Sequence, residues 1–471
     1  MNRFNASISN IQEGVWSQNF EGYQKQHNEE EVALIVRLEP GEGTILPKAE
    51  LQNHSTILDI TYLSSQVPST SSSSSTLASF IATQLQALFA EEQAIIAHIL
   101  TSTQSLTAST GNSAQLSQSA SSGSRELRSR SNRSLHPDVA ARLASRMTRS
   151  LKYAPTYHVT VSLFTPSATP SSWDIEAALS EYLMPLLDSI SSISNVTVDT
   201  QIQLHATFSP SVHSPEYDPD IGVWTLREED LSGFINAAEW PLSPSIGAGP
   251  TLNFIIYVPD QSTSPLVVKG SHASSWLIPQ WGGVVILNPW EHSNSTLNSS
   301  TPTTTLSKAS IRPALLTFSQ QLFHFLGAPQ SPPSLPLQLQ TLTRIRAASL
   351  LLSASSTMGS LARLTVALKS IAIPETVSVA VHTTLAQLRR TCDSLKEGNF
   401  NEALKTARIA EAEAERGFFE KSMVGQVYFP DEHKVAVYLP LLGPIGVPLL
   451  MSAIKEIKRI VGIWKKERSG A

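Results

Sequence analysis

Val435-Ala-Val-Tyr-Leu-Pro-Leu-Leu-Gly-Pro-Ile-Gly-Val-Pro-Leu-Leu-Met-Ser-Ala-Ile454 runs for twenty residues without a charged side chain. An α-helix needs about that many to cross a bilayer core of roughly 30 Å. Asp431, Glu432, His433 and Lys434 precede the run, and Lys455, Glu456, Lys458 and Arg459 follow it. Pro440, Pro444 and Pro448 would each remove an amide donor and crowd the preceding turn of a water-exposed helix. A membrane tolerates them where neighbouring helices or polar groups satisfy the freed carbonyls. Their spacing of four places all three on one face. The stretch therefore predicts a transmembrane helix over 435–454, packed against membrane partners; the alternative is a buried apolar hairpin of a soluble domain. Six Lys or Arg lie in 455–471, against three (Arg416, Lys421, Lys434) in the twenty residues before Val435. Positive charge favours the cytosolic side, which predicts a cytosolic tail and a body across the membrane.

A chain of 471 residues, 41% hydrophobic, has ample material for a core in that body. Its net charge of -5 argues against a nucleic-acid binder, which shows a basic face. One cysteine, Cys392, excludes an internal disulfide framework and any multi-cysteine metal site. Asn-x-Ser/Thr triplets at Asn5, Asn53, Asn132, Asn195, Asn294 and Asn298 are glycosylation candidates if the body enters the secretory pathway. Residues 1–30 are polar and carry no apolar run, so neither a signal peptide nor a first span is read there. With the C-terminal span alone the body would stay in the cytosol, so either the start is truncated or the body is not lumenal.

Residues 31–310 read as an α+β domain. Glu31–Leu38 and Thr56–Leu63 predict strands, and Thr76–Leu100 predicts one amphipathic helix from apolar residues three and four apart. Residues 101–134, rich in Ser, Thr, Gly and Arg, read as a mobile insertion. Arg125, Arg128, Arg130 and Arg133 there make either a solvated loop or a basic docking segment. Tyr157, Val159, Val161 and Leu163 alternate with polar residues, predicting a half-buried strand. A helix capped at Ser171 or Ser172 follows, kinked at Pro185, and then a strand around Val198 to Phe208. Residues 209–250 read as irregular apart from a helical turn near 228–237. Leu252–Val258 and Val284–Leu287 predict strands covered on both faces. Residues 311–424 are helical, with short links that predict an antiparallel bundle.

Few residues offer chemistry. Cys392 shares its helix with Leu385, Leu388 and Leu395, and reads as a small buried hydrophobe. His382, ten residues earlier and roughly 15 Å away along the axis, is no base for it. Gly247-Ala-Gly249 precedes a strand, the wrong order for a dinucleotide turn. Glu411, Glu413 and Glu415 cannot share one helical face and read as solvated. No cofactor site is predicted. Trp276, Ile278, Pro279, Gln280, Trp281, Gly282 and Gly283 form the remaining candidate, either an internal packing feature or a partner-binding surface.

Three stretches resemble one family: Leu252–Pro259 running on through Ile278–Asn288, Glu411–Val424, and Tyr428–Leu442 with the prolines beyond. They resemble PIG-S, the S subunit of the glycosylphosphatidylinositol (GPI) transamidase of the endoplasmic reticulum membrane, in weaker form from about Val32 to Ile454. The resemblance implies a non-catalytic subunit with a lumenal body and a cytosolic tail. Its implied partners are PIG-K, PIG-T, PIG-U and a GPAA-type subunit. PIG-K, caspase-like, cleaves the proprotein through a thioester that the GPI amine resolves. The family has two spans, and a truncated start is the preferred reason that the first is not seen. The competing expectation is a tail-anchored adaptor on the cytosolic face of a membrane.

Overall fold

The computed structural model describes residues 34–41, 47–52, 55–63, 76–109, 137–231, 234, 249–289, 304–367, 372–428 and 431–468. The polar start, residues 110–134 of the expected insertion, and Asn5, Asn53, Asn132, Asn294 and Asn298 lie outside them. The chain forms two units, Met1–Ser349 with Ser394–Leu404, and Leu350–Asp393 with Lys405–Ala471.

In the first unit β1 (Ile35–Pro40), β2 (Lys48–Leu51) and β3 (Ile57–Tyr62) form a small sheet with β3 central. Helix α1 (Thr76–Leu88) lays Leu77 and Ile81 on Leu58 and Ile60 of that sheet. The single helix expected over 76–100 breaks at Phe89 and resumes as α2 (Ala90–Ser109), so residues 101–109 are helical rather than part of a mobile insertion. Glu91 and Glu92 favour the start of α2 through the helix dipole. Ile95, Ile96 and Ile99 pack with Leu143 and Met147 of α3 (Pro137–Arg149) and with Ile345. Once that nucleus is packed, each polar residue added at the end costs little.

The main sheet uses β4 (Thr156–Phe164), β6 (Asn195–Gln203), β9 (Thr251–Tyr257), β11 (Ser275–Ile278) and β12 (Gly282–Ile286), in the order β11-β12-β9-β4-β6. All neighbours are parallel except β11, which returns antiparallel on β12. β4 corrects its half-buried reading: it lies between β9 and β6, and Thr160 and Ser162 are buried along with Val159 and Val161. β9 is covered on both faces, as its apolar run requires.

Before β6, β5 (Ser172–Trp173) pairs with β13 (Thr305–Leu306), so Ser171 and Ser172 cap no helix. Asp174 stands at the N-cap of α4 (Ile175–Tyr182). Pro185 does not kink a continuous helix; it opens α5 (Met184–Ile190), where its missing N–H has no partner to lose. The stretch read as irregular yields β7 (Glu216–Asp218) and β8 (Val223–Leu226), which join β10 (Leu266–Val268) in a second small sheet.

Helix α6 (Lys308–Phe325), capped by Ser307, covers the opposite face of the main sheet. Phe318 stacks on Phe254 with ring centroids 4.7 Å apart. The helix stops at Gly327 with φ +69°, a left-handed position that glycine adopts without cost. The buried Arg346 donates to the Leu326 carbonyl at 2.6 Å, satisfying an orphan acceptor at that terminus.

Helices α7 (Leu335–Ala367), α8 (Glu375–Glu397) and α9 (Phe400–Phe418) contribute residues to both units; α10 (Lys421–Tyr428) and α11 (Asp431–Arg468) lie in the second. Ala354, Ala410 and Ala414 form one small core there, and Leu361, Val377 and Met423 another. Two sequence expectations are corrected here. α8 buries Val377, Ala380, Thr384 and Thr391, with Thr391 sharing a 2.9 Å hydrogen bond with Thr406, which turns Cys392 out to solvent. Glu411 is not solvated: it is half-buried and accepts from Ser353 Oγ at 2.6 Å.

Among the described residues no helix is long and apolar enough to cross a membrane, which corrects the transmembrane reading of 435–454. Three prolines and two glycines dilute the apolar run. The stretch sits within a 38-residue helix that continues through Pro440, Pro444 and Pro448 and on into charged sequence. Leu439, Leu442, Ile445, Leu449 and Leu450 on it are all exposed, Ile445 at 67%.

Candidate functional site

In the main sheet the chain passes from β4 to β6 on one side and then to β9 on the other. The strand order therefore reverses between β4 and β9, and the crevice beyond their C-terminal ends is where open α/β sheets bind ligands. On one face of the sheet, toward those ends, the described side chains form an apolar cluster. Phe164 ends β4, Tyr257 ends β9, and Phe208 and Phe234 lie against Tyr257 with centroids 5.3 and 5.1 Å away. Leu226 of β8 and Leu266 of β10 join the same cluster, so the second small sheet closes it. The loop after β4 holds itself in place: Ser167 Oγ donates to the Thr169 carbonyl at 2.8 Å and Thr165 Oγ1 to the same oxygen at 3.0 Å. Burial raises the Tyr257 phenol well above its ordinary value, with Asp260 adding to it, so it stays protonated.

The Trp276–Gly283 candidate belongs to this cluster. It is a β-hairpin: Ser275–Ile278 turns through Pro279 and Gln280 into Gly282, with Gln280 at φ +58°. Trp276, Ile278 and Trp281 pack on the aromatic residues, with Trp276 edge-on to Phe234 at 5.1 Å. Pro279 and Gln280 face solvent, and Gln280 Nε2 donates to the Thr148 carbonyl at 3.2 Å. Gly282 and Gly283 are buried where β12 meets β9 and α6. The packing reading thus accounts for both tryptophans and both glycines.

Histidines are the other candidates for chemistry. His213 Nδ1 lies 3.0 Å from Asp230 Oδ2, a pairing the sequence reading missed because it joins two turns 17 residues apart in an irregular stretch. A base of this kind needs a nucleophile within about 3 Å. Among the described residues no hydroxyl or thiol is recorded bonded to His213. His158 Nδ1 is 2.6 Å from Thr197 Oγ1. His324, exposed on α6, is held below the ordinary histidine value by partial desolvation and then by Arg146 and Arg149. Among the described residues no three His, Cys, Asp or Glu side chains gather as a metal site.

One surface cluster carries a measurable electrostatic signature. Arg227, Glu228, Glu229 and Lys269 line an open recess of about 670 Å³. Glu216 at its edge accepts from Arg227 and, at 3.1 Å, from Lys269 Nζ. Those hydrogen bonds and charges lower its carboxyl to about 2. An unfolded glutamate titrates near ~4.3, so the stabilising preference is full above that pH and is lost as pH falls toward about 2. An NMR titration at low salt should find the Glu216 midpoint about 2, and Lys269→Gln should raise it. A midpoint at the ordinary glutamate value would show that the triad does not form in solution.

Asn195 is exposed at the start of β6, accessible to a modifying enzyme. Pro440, Pro444 and Pro448 all lie exposed on α11.

What fold and cluster define is an α+β protein with an aromatic core cluster packed on its main sheet and a 38-residue helix over Asp431–Arg468. The family model described as phosphatidylinositol-glycan biosynthesis class S protein matches residues 2–462, and the chain belongs to that family. The GPI-anchor transamidase component PIGS of Rattus norvegicus is 30% identical over 339 residues, covering 68% of this chain and 60% of the rat protein. Its Homo sapiens counterpart of the same name is 29% identical over 338 residues, with the same coverage. The GPI transamidase component PIG-S homolog of Schizosaccharomyces pombe is 32% identical over 331 residues, covering 68% of this chain and 57% of its own length. The chain spans about 60% of the length of the rat and human relatives it matches.

Proposed function

We propose that this chain is a non-catalytic subunit of a GPI transamidase, supporting attachment of GPI anchors to proprotein C-termini at the endoplasmic reticulum membrane. The observation that carries the reading is the family match over residues 2–462, with relatives from mammals and yeasts named as transamidase components. Its partners in this reading are PIG-K, which supplies the nucleophile, with PIG-T, PIG-U and a GPAA-type subunit. Cys392 supports a scaffold role: it is an exposed thiol on a helix, with no activating base bonded to it among the described residues. The exposed apolar side chains of 435–454 support a membrane seat. A proline-bearing segment too weakly apolar to cross alone would be held there by partner helices that satisfy its freed carbonyls. The body then lies in the lumen and 455–471 in the cytosol.

Cells lacking their own subunit should regain surface GPI-anchored proteins when given the full-length protein with Cys392→Ala, at the wild-type level. Substituting an exposed side chain changes stability by no more than about 0.5 kcal/mol, whereas loss of a nucleophile lowers rate by several orders of magnitude. Failure to rescue, at normal abundance and with the partners still co-purifying, would overturn the non-catalytic role. Loss of co-purification by the wild-type chain would overturn the complex itself. An endoglycosidase-sensitive glycan at Asn195 is expected for a lumenal body; protease digestion of the body in intact microsomes would instead support the tail-anchored cytosolic adaptor.

A further inference from the structure

The main sheet ends on β6, and no described strand pairs with the outer side of that strand. Its nine residues, in unbroken register with β4, make an edge about 30 Å long. No other described edge strand exceeds six residues. Asn195 N–H donates to the Pro155 carbonyl at 2.9 Å, and the Gln203 carbonyl accepts from Thr165 N–H at 3.1 Å. In a parallel pair alternate residues make both bonds, so the odd-numbered residues of β6 bond to β4. The N–H and C=O groups of Val196, Val198, Thr200 and Ile202 therefore point outward, and among the described residues nothing bonds to them. Proteins usually guard such an edge with proline, lysine, a bulge or a covering element. β6 has no proline, lysine or bulge, and its one charge is Asp199, exposed at the middle position. The two faces of the strand differ. Val196, Val198 and Ile202 stand on the side of Val161 and Phe254, the face that α6 covers. Asn195, Thr197, Asp199, Gln201 and Gln203 make a polar row on the other side.

We propose that this edge takes up one extended strand of a partner subunit, with a lysine or arginine of that strand opposite Asp199. The inference rests on the complex proposed above. Backbone chemistry selects an extended polypeptide, because a strand offers donors and acceptors in alternation at this spacing. Asp199 then selects among strands. A second copy of this chain is disfavoured: pairing all nine residues antiparallel about a twofold axis sets Asp199 directly against its own copy. Like charges directly opposite destabilise a strand pair. A cation there instead gives a partner to a carboxylate that has no ionic partner among the described residues. Apolar side chains at alternate positions of the incoming strand would extend the row of Val196, Val198 and Ile202. A glycan on Asn195 would leave the edge open, since that side chain stands on the polar face and not in the plane of the sheet.

The test compares residue-resolved amide hydrogen exchange in the full-length chain alone and in the complex purified with its partner subunits. In the chain alone the amides of Val198, Thr200 and Ile202 should exchange quickly, while those of Thr197, Asp199 and Gln201 are protected by β4. In the complex the first set should slow by about tenfold or more, and the second should change little. That alternation marks a backbone ladder, which a side-chain contact would not produce. Asp199→Lys should abolish the added protection and weaken partner binding about tenfold, the exchange of the β4-bonded amides staying as it was. Outward amides that exchange as fast in the complex as in the chain alone would overturn the inference and leave the complex standing. Protection already present in the chain alone would assign the edge to a segment of this chain or, where it rises with concentration, to a second copy; either overturns it. Protection that survives Asp199→Lys would overturn the cationic strand as occupant. A chain that purifies with no partner would remove the complex and the inference together.

Discussion

Gly282→Ala should be the most damaging glycine-to-alanine change among the described residues, lowering stability by about 3 kcal/mol and leaving little folded protein. A Cβ at Gly282 would overlap the carbonyl oxygen of Asn253 on β9, with the Asn253 carbonyl carbon 2.7 Å away and its nitrogen 2.8 Å away. Backbone of a buried, paired strand cannot rotate aside. Relief would require β12 to part from β9, the strand that also carries the register of β4. The two neighbouring cases calibrate the effect. At Gly283 the new methyl would meet only the end of the Gln321 side chain, which can move if it gives up its 3.2 Å bond to the Trp276 carbonyl. That should cost about 1 kcal/mol, the net value of one hydrogen bond. At Gly270 nothing lies within 4 Å, and only its φ of +82° opposes alanine, at about 1 kcal/mol. The urea midpoint of Gly282→Ala should fall well below those of the other two, which should lie close together; a Gly282→Ala midpoint equal to wild type would mean that the hairpin is not docked as described.

Arg344→Met should cost about 3 to 5 kcal/mol, because it strands a carboxylate. Glu92 is 8% exposed and takes both of its hydrogen bonds from Arg344, each 2.7 Å long. The guanidinium also donates to Thr341 Oγ1 at 2.9 Å and lies over the rings of Phe89 and Phe400, 5.4 and 5.0 Å from their centroids. The partner change removes the stranded charge, so Arg344→Met with Glu92→Met should recover a large part of the loss. A double variant no more stable than Arg344→Met alone would show that the pair is not coupled in the folded protein. Nothing in the sequence points to this pair, since the two residues are 252 positions apart and each stands in an ordinary helical pattern.

That contrast shows what the sequence could express. Long apolar runs such as Leu252–Val258 are legible because burial on both faces leaves no polar position. Helix α6 is legible from its period and its stop at Gly327. β7, β8 and β10 are not, because strands of three or four residues complete barely two periods of alternation. The buried face of α8 is illegible for a different reason. Its buried stripe is built on Val377, Ala380, Thr384 and Thr391, and a buried threonine that bonds the carbonyl four residues back is indistinguishable in sequence from an exposed one. Leucines therefore drew the apolar face to the wrong side, carrying Cys392 with them. In the candidate site, both tryptophans and the glycine pair were visible as a constellation. Their role depends on Phe164, Phe208, Phe234 and Tyr257, which only the strand order brings together.

The same strand order sets a schedule for synthesis. β4 is finished at Phe164, its neighbour β9 begins at Thr251, and β12 comes later still. At the usual pace of about 5 to 20 residues per second, β4 waits on the order of ten seconds with Val159, Val161 and Leu163 uncovered and one edge unpaired. α6, which covers those side chains' face, arrives last of all. A nascent chain paused between Gln203 and Thr251 would therefore present an apolar strand to whatever chaperone stands at the exit, and slowing translation there should raise misfolding more than slowing it anywhere after Phe325.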